Sequence, residues 1–367
     1  MRIVQYAEIP NDHDLRRQWN RLVHRVSSPE VFLTFEWAQA VQASYHEQLK
    51  PLLILAYDGE ELEGVASLAI NRKDDAIEFL AGATADYCDF LSTPAAHEEF
   101  VAAVFAQLAQ IKPSAVKLAN LPQDSPTAAA IAAVANRNGF HAHLRPAYSC
   151  AQVQLGEGEE RDRLKSSLAG KKKLRQCLRN MEREGPVCFH HLRTRAEICA
   201  KLPAFAEAHV ARFQATQRVS SLASPERRKF LEELVLRLEP SVVTLSILEI
   251  DRRPVAWNFG FNFCGSWFWY MPTFDSAQEA SSPGYCLLSR IVTDACDMPE
   301  MKTVDMGLGA EGYKERFGNH SRHTLYAAFS RSRVRHAAGV ARYRLAETVK
   351  KSPPVEAAVR KVLSAFR

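Results

Sequence analysis

Two stretches of this chain carry the same local event: LLILAYDGEELEG from Leu52 and LSILEIDRRPVAW from Leu245. In each, a run of apolar residues enters a tight turn, at Asp58 and Gly59 or at residues 251–253, and leaves as a second alternating run. That is a short-range hairpin signal. The surroundings repeat as well. Two amphipathic helices precede the first hairpin, one around Leu15, Trp19, Leu22 and Val23 and one around Phe35, Trp37, Ala38 and Val41. The spacing predicts strands over 51–57, 62–70 and 76–80, a helix over 94–110, a strand over 116–119, a helix over 125–138 and a strand over 148–155. The second half predicts helices over 201–218 and 225–238, then strands over 242–250, 255–263 and 267–271. A helix from Tyr285, a strand over 302–306, a short helix at Glu311 and a last strand over 323–329 follow. An internal duplication of one α/β unit is the simplest fold that satisfies both halves.

Composition permits it. The chain has 367 residues and 47% hydrophobic content, enough for two ordinary domains. Its eight cysteines form no CxxC pair and no Cys/His group at zinc spacing, so reduced thiols, a cytoplasmic setting and no metal are expected. The start MRIVQYAEIPNDHD reads as no secretory signal, and no apolar run approaches the ~20 residues of a spanning helix. The formal charge of +5 is concentrated at the end, where residues 331–367 hold ten Lys/Arg against two Glu. This basic, amphipathic tail could rest on an anionic membrane face, or simply cover the second half. No GxSxG, HExxH, Walker or dinucleotide fingerprint occurs, which argues against serine hydrolases, zinc proteases, P-loop NTPases and Rossmann oxidoreductases.

The stretch over 281–318 gathers the chemistry. Ser281, Ser282, Pro283 and Gly284 stand before a helix with Leu288, Ile291, Val292 and Ala295 on its apolar face and Ser289, Arg290, Thr293 and Asp294 opposite. Serine to cap and proline in the first turn predict a helix start whose N–H groups and dipole suit a phosphate. A short strand, a glycine bend at Gly307 and Gly309, and a helix with Glu311, Tyr313, Lys314 and Arg316 follow. Ionisable groups therefore gather just past a strand end, where α/β folds bind ligands.

This segment resembles the signature region of the BioF2-like, CelD-type acetyltransferase family, a branch of the GNAT superfamily related to FemAB ligases. Ser282-Pro283-Gly284, Asp305, Glu311, Tyr313-Lys314, Arg316 and Phe317-Gly318 carry the likeness, together with LKSSLAGKKKLRQCLRNMEREG, AHVARF, FEWAQA and DYCDFL. The pattern departs at Leu308-Gly309-Ala310-Glu311, where the family has Arg-Gly-Asp-Glu. The resemblance implies an α/β (α+β) fold of two tandem GNAT-like units, each a mixed sheet flanked by helices. The units would be a degenerate one over 1–160, a basic linker helix and connecting strand over 161–200, an acyltransferase unit over 201–330 and the tail over 331–367.

The same likeness implies acyl transfer from acetyl-CoA or another acyl-CoA, without a metal, to an amine or hydroxyl of a polysaccharide or cell-envelope precursor. Donor phosphates would sit at Ser282, Pro283, Gly284 and Tyr285, aided by Lys314 and Arg316, with backbone N–H groups near Tyr270 meeting the oxyanion. His209 and Glu311 are the base candidates, Asp305 would orient or accept, and Tyr313 would protonate the leaving thiolate. A helical histidine between Phe205 and Phe213 equally fits a structural role. Two other readings stand beside this one: a Fem-like aminoacyltransferase whose basic helix over 171–183 meets tRNA, and a non-catalytic scaffold on the same fold. Oligomeric state is not legible.

Overall fold

The computed structural model describes residues 1–309 and 311–350. The first half runs β1 (Arg2–Tyr6), α1 (His13–Val23), α2 (Phe35–Tyr45), β2 (Leu49–Asp58), β3 (Glu61–Asn71), β4 (Ile77–Phe79), β5 (Leu91–Ser92), α3 (His97–Ile111), β6 (Val116–Pro122), α4 (Pro126–Arg137) and β7 (His141–Gln154). Next come α5 (Gly158–Gly170), α6 (Lys172–Glu182), β8 (Val187–Leu192), α7 (Arg195–Ala215), α8 (Pro225–Arg237), β9 (Val243–Ile250), β10 (Arg253–Phe263) and β11 (Ser266–Phe274). The described chain closes with α9 (Pro283–Cys296), β12 (Thr303–Asp305), α10 (Gly312–Glu315), β13 (His320–Ser330) and α11 (Arg333–Lys350).

The duplicated hairpins form as the alternation predicts, β2 with β3 and β9 with β10, both antiparallel. The two halves do not keep separate sheets, however. One sheet runs β1-β2-β3-β4-β6-β13-β7-β12-β11-β10-β9-β8, with β5 attached to β3. The last strand of the second half, β13, lies between β6 and β7 of the first, antiparallel to both. In return β7 pairs with β12 of the second half. Each half thus lends its final strand to the other, and no unpaired edge remains in the middle of the sheet.

Packing reinforces that exchange. Trp37 of α2 lies 5.3 Å from Phe230 of α8 and 5.3 Å from Phe261 of β10, edge to face, in one core that spans both halves. A second core belongs to the second half, where α5, α6 and α9 press Leu168, Leu174, Met181, Leu288 and Ile291 against Trp267, Trp269 and Val304. Burying a side chain such as Trp37 or Trp267 contributes about 3 kcal/mol relative to exposure.

Several boundaries differ from expectation. The 14-residue β7 starts at His141, because β13 pairs along nearly all of it. The basic stretch is two helices rather than one, broken where Lys171 turns extended (φ −62°, ψ 117°) after Gly170, a poor helix former. On α6, Leu174, Cys177 and Met181 are buried while Lys172, Lys173, Arg175, Arg179 and Arg183 are exposed. The expected tail region over 351–367 lies outside the described residues, and no described helix is long and apolar enough to cross a membrane.

Candidate active site

β11 and β12 run parallel over only three residue pairs, ending at Phe268 opposite Asp305. Beyond that pair β12 stops, whereas β11 continues to Phe274, so the sheet splays open at this point. A register shift between Phe259 and Phe261 places a bulge in β11 opposite Gly260. Glycine is needed there, because a Cβ would run into the Phe268 carbonyl and the Asn258 amide. Such a bulge leaves a residue unpaired in the ladder and re-aims its neighbours. It sits at Trp269 and Tyr270, where the sequence places the oxyanion donors.

The helix start behaves differently from the simple cap expected. Ser125 and Ser224 precede prolines in the same way, are extended, and accept from backbone N–H groups of α4 and α8. Ser282 is instead left-handed (φ 50°, ψ 53°) and its side chain caps nothing. A non-glycine residue in this region costs on the order of 1 kcal/mol, and such strain clusters at functional sites. Tyr285 and Cys286 both donate to the Ser282 carbonyl, and among the described residues the Gly284 N–H has no partner. The apolar face of α9 packs as predicted; Ser289 is buried too, its hydroxyl donating to the Tyr285 carbonyl.

A cavity of about 220 Å³ opens on this helix start. Ser282, Gly284 and Tyr285 line it with Tyr313 and Arg316, so five of the residues singled out in the sequence meet there. Lys173 of α6, Arg212 of α7, Trp269 and Thr273 of β11 and the carboxylate of Glu279 also stand in its wall. Lys173 sits 5.3 Å from the Tyr285 ring and Arg212 lies 4.0 Å over Phe274, so two cations are held against aromatic faces. Trp269 Nε1 donates to the Tyr313 hydroxyl (3.2 Å), and burial raises the Tyr313 pKa, which keeps the phenol protonated. Pro283 is buried as the first residue of α9.

The other sequence candidates lie elsewhere. His209 is 4% exposed, pairs with Ser220 Oγ through Nδ1 (2.7 Å) and stacks on Phe213 at 4.6 Å. Burial drives its pKa down to about 4, with the charges of Arg212 and Arg227 adding to the shift, so the ring is neutral and turned inward. Lys314 is buried, and its ammonium is spent on the Leu308 carbonyl (2.7 Å) and on Glu311 (2.9 Å). Glu311 is exposed on its far side, and the pair closes the glycine bend rather than lining the cavity. Asp305 is 2% exposed and accepts from Tyr87 (2.9 Å), Gln152 (2.6 Å) and the Gly307 N–H (2.7 Å).

The first half reaches this same strand end. Tyr87 and Gln152, which bind Asp305, both come from it, and Arg322 of β13 stacks over the Tyr87 ring (4.4 Å) while pairing with Glu30. Next to Tyr87, the carboxylate of Asp86 occupies the space that a Cβ on Gly307 would need, and Gly307 itself has φ +66°. Burial pushes the Asp86 pKa up to about 7, with the Asp305 charge adding to the rise and Lys314 and Arg227 opposing it. Among the described residues, none donates a hydrogen bond to the Asp86 side chain. DYCDFL marked the segment in the sequence, but no local signal gave Asp86 a role; likewise Lys173 and Arg212 stood in noted motifs without one.

A splayed pair of parallel strands, a bulge beside the splay and an uncapped helix start define a fold class, and comparison with known proteins agrees. Residues 169–315 match the family model of the acetyltransferase (GNAT) domain. The chain therefore carries a GNAT-type domain and is an acyltransferase. Its structure is similar to that of FemX, at 10% identity over 89% of this chain and 97% of that one (TM-score 0.61). It is also similar to L-PGS from Bacillus licheniformis (10% identity, 86% and 97% coverage, TM-score 0.51) and to a conserved protein of unknown function from Bacteroides thetaiotaomicron (14%, 86% and 97%, TM-score 0.53). At such identities the likeness is one of fold. No curated protein matches the sequence significantly.

Proposed function

We propose that this chain moves an acyl group from acyl-CoA to an amine or hydroxyl of a polysaccharide or cell-envelope precursor, as the resemblance to CelD-type acetyltransferases implies. The observation that carries the reading is the cavity where Gly284 and Tyr285 at the uncapped start of α9 meet Tyr313, Lys173, Arg212 and Arg316. Phosphates of the donor take the N–H of Gly284 and the cations, and the thioester runs into the splay between β11 and β12. The acceptor atom attacks the thioester carbonyl, whose oxygen is met by backbone N–H at the bulge. Asp86, with a pKa near neutrality and no donor on its carboxylate among the described residues, takes the acceptor proton. The C–S bond then breaks and the Tyr313 phenol protonates the departing thiolate.

Thermal-shift titration with CoA, acetyl-CoA and longer acyl-CoAs tests this. A ligand at a hundred times its dissociation constant stabilises by about 2.7 kcal/mol. A saturable shift is expected, lost in Gly284→Glu and weakened in Arg316→Ala. No shift with any of them overturns the acyl-CoA reading.

The exposed basic face of α6, which reaches the cavity at Lys173, favours a second donor: an aminoacyl-tRNA, as in the Fem-like alternative. That reading requires RNA binding that weakens steeply with salt and with charge removal from Arg175 and Arg179. Failure of both donors leaves the non-catalytic scaffold.

A further inference from the structure

A cavity of about 490 Å³ stands apart from the donor site. It lies between α11 and the strands β6, β7 and β13, in the middle of the shared sheet. Its lining brings together Lys117, Arg145, Arg335 and Arg342 with His143 and His336, and the acidic residue in it is Glu347. Gly339 and Ala346 leave room on α11 between its larger lining side chains, among them Arg335, Arg342 and Tyr343; a Cβ on Gly339 would meet nothing within 4 Å.

The cations are only partly neutralised. Lys117 pairs with Asp74. Arg145 is held between the rings of Tyr326 (4.4 Å) and Tyr343 (4.9 Å) and, among the described residues, donates only to the Pro146 carbonyl (3.3 Å). Arg335 donates to the Ser114 carbonyl (3.2 Å), and Arg342 makes no hydrogen bond or ion pair among the described residues. The Nε2 of His143 is buried without a partner, while its ring packs 5.5 Å from Tyr343. Positive charges converging on one void repel one another unless an anion joins them, and a polar atom shut off from solvent needs a partner. Arginine forks fixed by aromatic stacking match phosphate oxygens two at a time, and their planar orientation is set before the ligand arrives.

We propose that this cavity binds a phosphate-bearing ligand, with Arg145 and Arg342 as the charged contacts and His143 Nε2 as a hydrogen-bond partner. The same chemistry is offered by a soluble organic phosphate and by a phospholipid headgroup. Because the site lies on strands exchanged between the halves, an occupant would pin α11 to the sheet where both halves meet.

Calorimetric titration of the full chain with inorganic pyrophosphate tests the site. Saturable binding is expected, with one phase weakened at least tenfold in Arg342→Glu and in Arg145→Ala; a separate phase from the donor cavity is the one that Arg316→Ala weakens, leaving the first in place. Arg342 is an exposed helix residue, so its variant keeps the fold, and an unchanged Tm checks this. Absence of saturable binding, or binding as tight in Arg342→Glu as in the parent, overturns the proposal. Cosedimentation with phosphatidylglycerol-containing vesicles, against phosphatidylcholine alone, separates the sources. Vesicle binding that Arg342→Glu abolishes and pyrophosphate competes away identifies a headgroup; pyrophosphate binding with no vesicle retention identifies a soluble phosphate. Vesicle binding without pyrophosphate binding also overturns it.

Discussion

Asp86 and His209 show how differently burial acts on two titratable groups. The raised Asp86 pKa means that the folded chain holds a proton there between about 3.8 and about 7 that the unfolded chain has released. Stability contributed by that proton is complete below the lower value and falls as pH rises through the upper one. Asp86→Asn should therefore raise stability at pH 8, by roughly 1–3 kcal/mol, while lowering kcat/KM by about 10²–10⁴. The parent's rate should climb with pH through about 7 and then level off, a limb absent from the variant. Denaturant melts and pH–rate profiles read both effects, and a variant with full activity removes Asp86 from the chemistry. His209 has the opposite sign. Its pKa falls from 6.5 to about 4, so its contribution is present above 6.5 and lost on acidification. His209→Gln should lower stability through the lost Ser220 bond, by ~1–2 kcal/mol, and leave kcat of the folded protein unchanged. A collapse of kcat with intact stability would instead return His209 to the catalytic set.

At the scale of elements, the bulge in β11 and the start of α9 are the two devices that convert a sheet into a site. Gly260→Ala places a methyl group against the Phe268 carbonyl, a backbone atom that cannot move aside without shifting the bulge. The expected result is a loss of ~2–4 kcal/mol of stability together with a lower kcat, because the N–H groups at Trp269 and Tyr270 move. Equal loss in kcat and kcat/KM, with donor affinity retained, would mark an interaction made only in the transition state. An unchanged kcat would exclude the bulge from oxyanion binding. Helix α6 was legible as basic and amphipathic from residue spacing alone. Its break at Lys171 was not, because a single glycine, Gly170, disfavours a helix by only about 1 kcal/mol and does not by itself fix where the helix stops.

For the whole molecule, the exchange of β7 and β13 makes the halves mutually dependent. A fragment over 1–160 would leave both β6 and β7 with open edges, and one over 161–367 would leave β13 without a partner and β12 with an open edge. Each is expected to be insoluble or unfolded alone, with co-expression recovering a soluble complex; separation on a sizing column and circular dichroism read the outcome. Two independently folded fragments would refute mutual dependence. The seam is also held by Arg322, the second-half residue that pairs with buried Glu30. Removing one partner of such a buried pair is far more disruptive than removing both, because an uncompensated charge remains.

The sequence by itself determined the elements and the repeat, because period-2 and period-3.6 patterns, turn residues and serine-proline helix starts act within a few residues. It also marked Ser282, Gly284, Tyr285, Tyr313 and Arg316, which stand close together in the chain and meet in one cavity. Only the tertiary structure decided which strand neighbours which, since β13 beside β6 and β7 beside β12 are pairings between distant segments chosen by edge satisfaction and shared core. That decision brings Asp86 and Tyr87 from the first half against Gly307 and Asp305 of the second, and it turns Lys314 and His209 inward. Proximity across such distances is fixed by packing and burial, which no local pattern encodes.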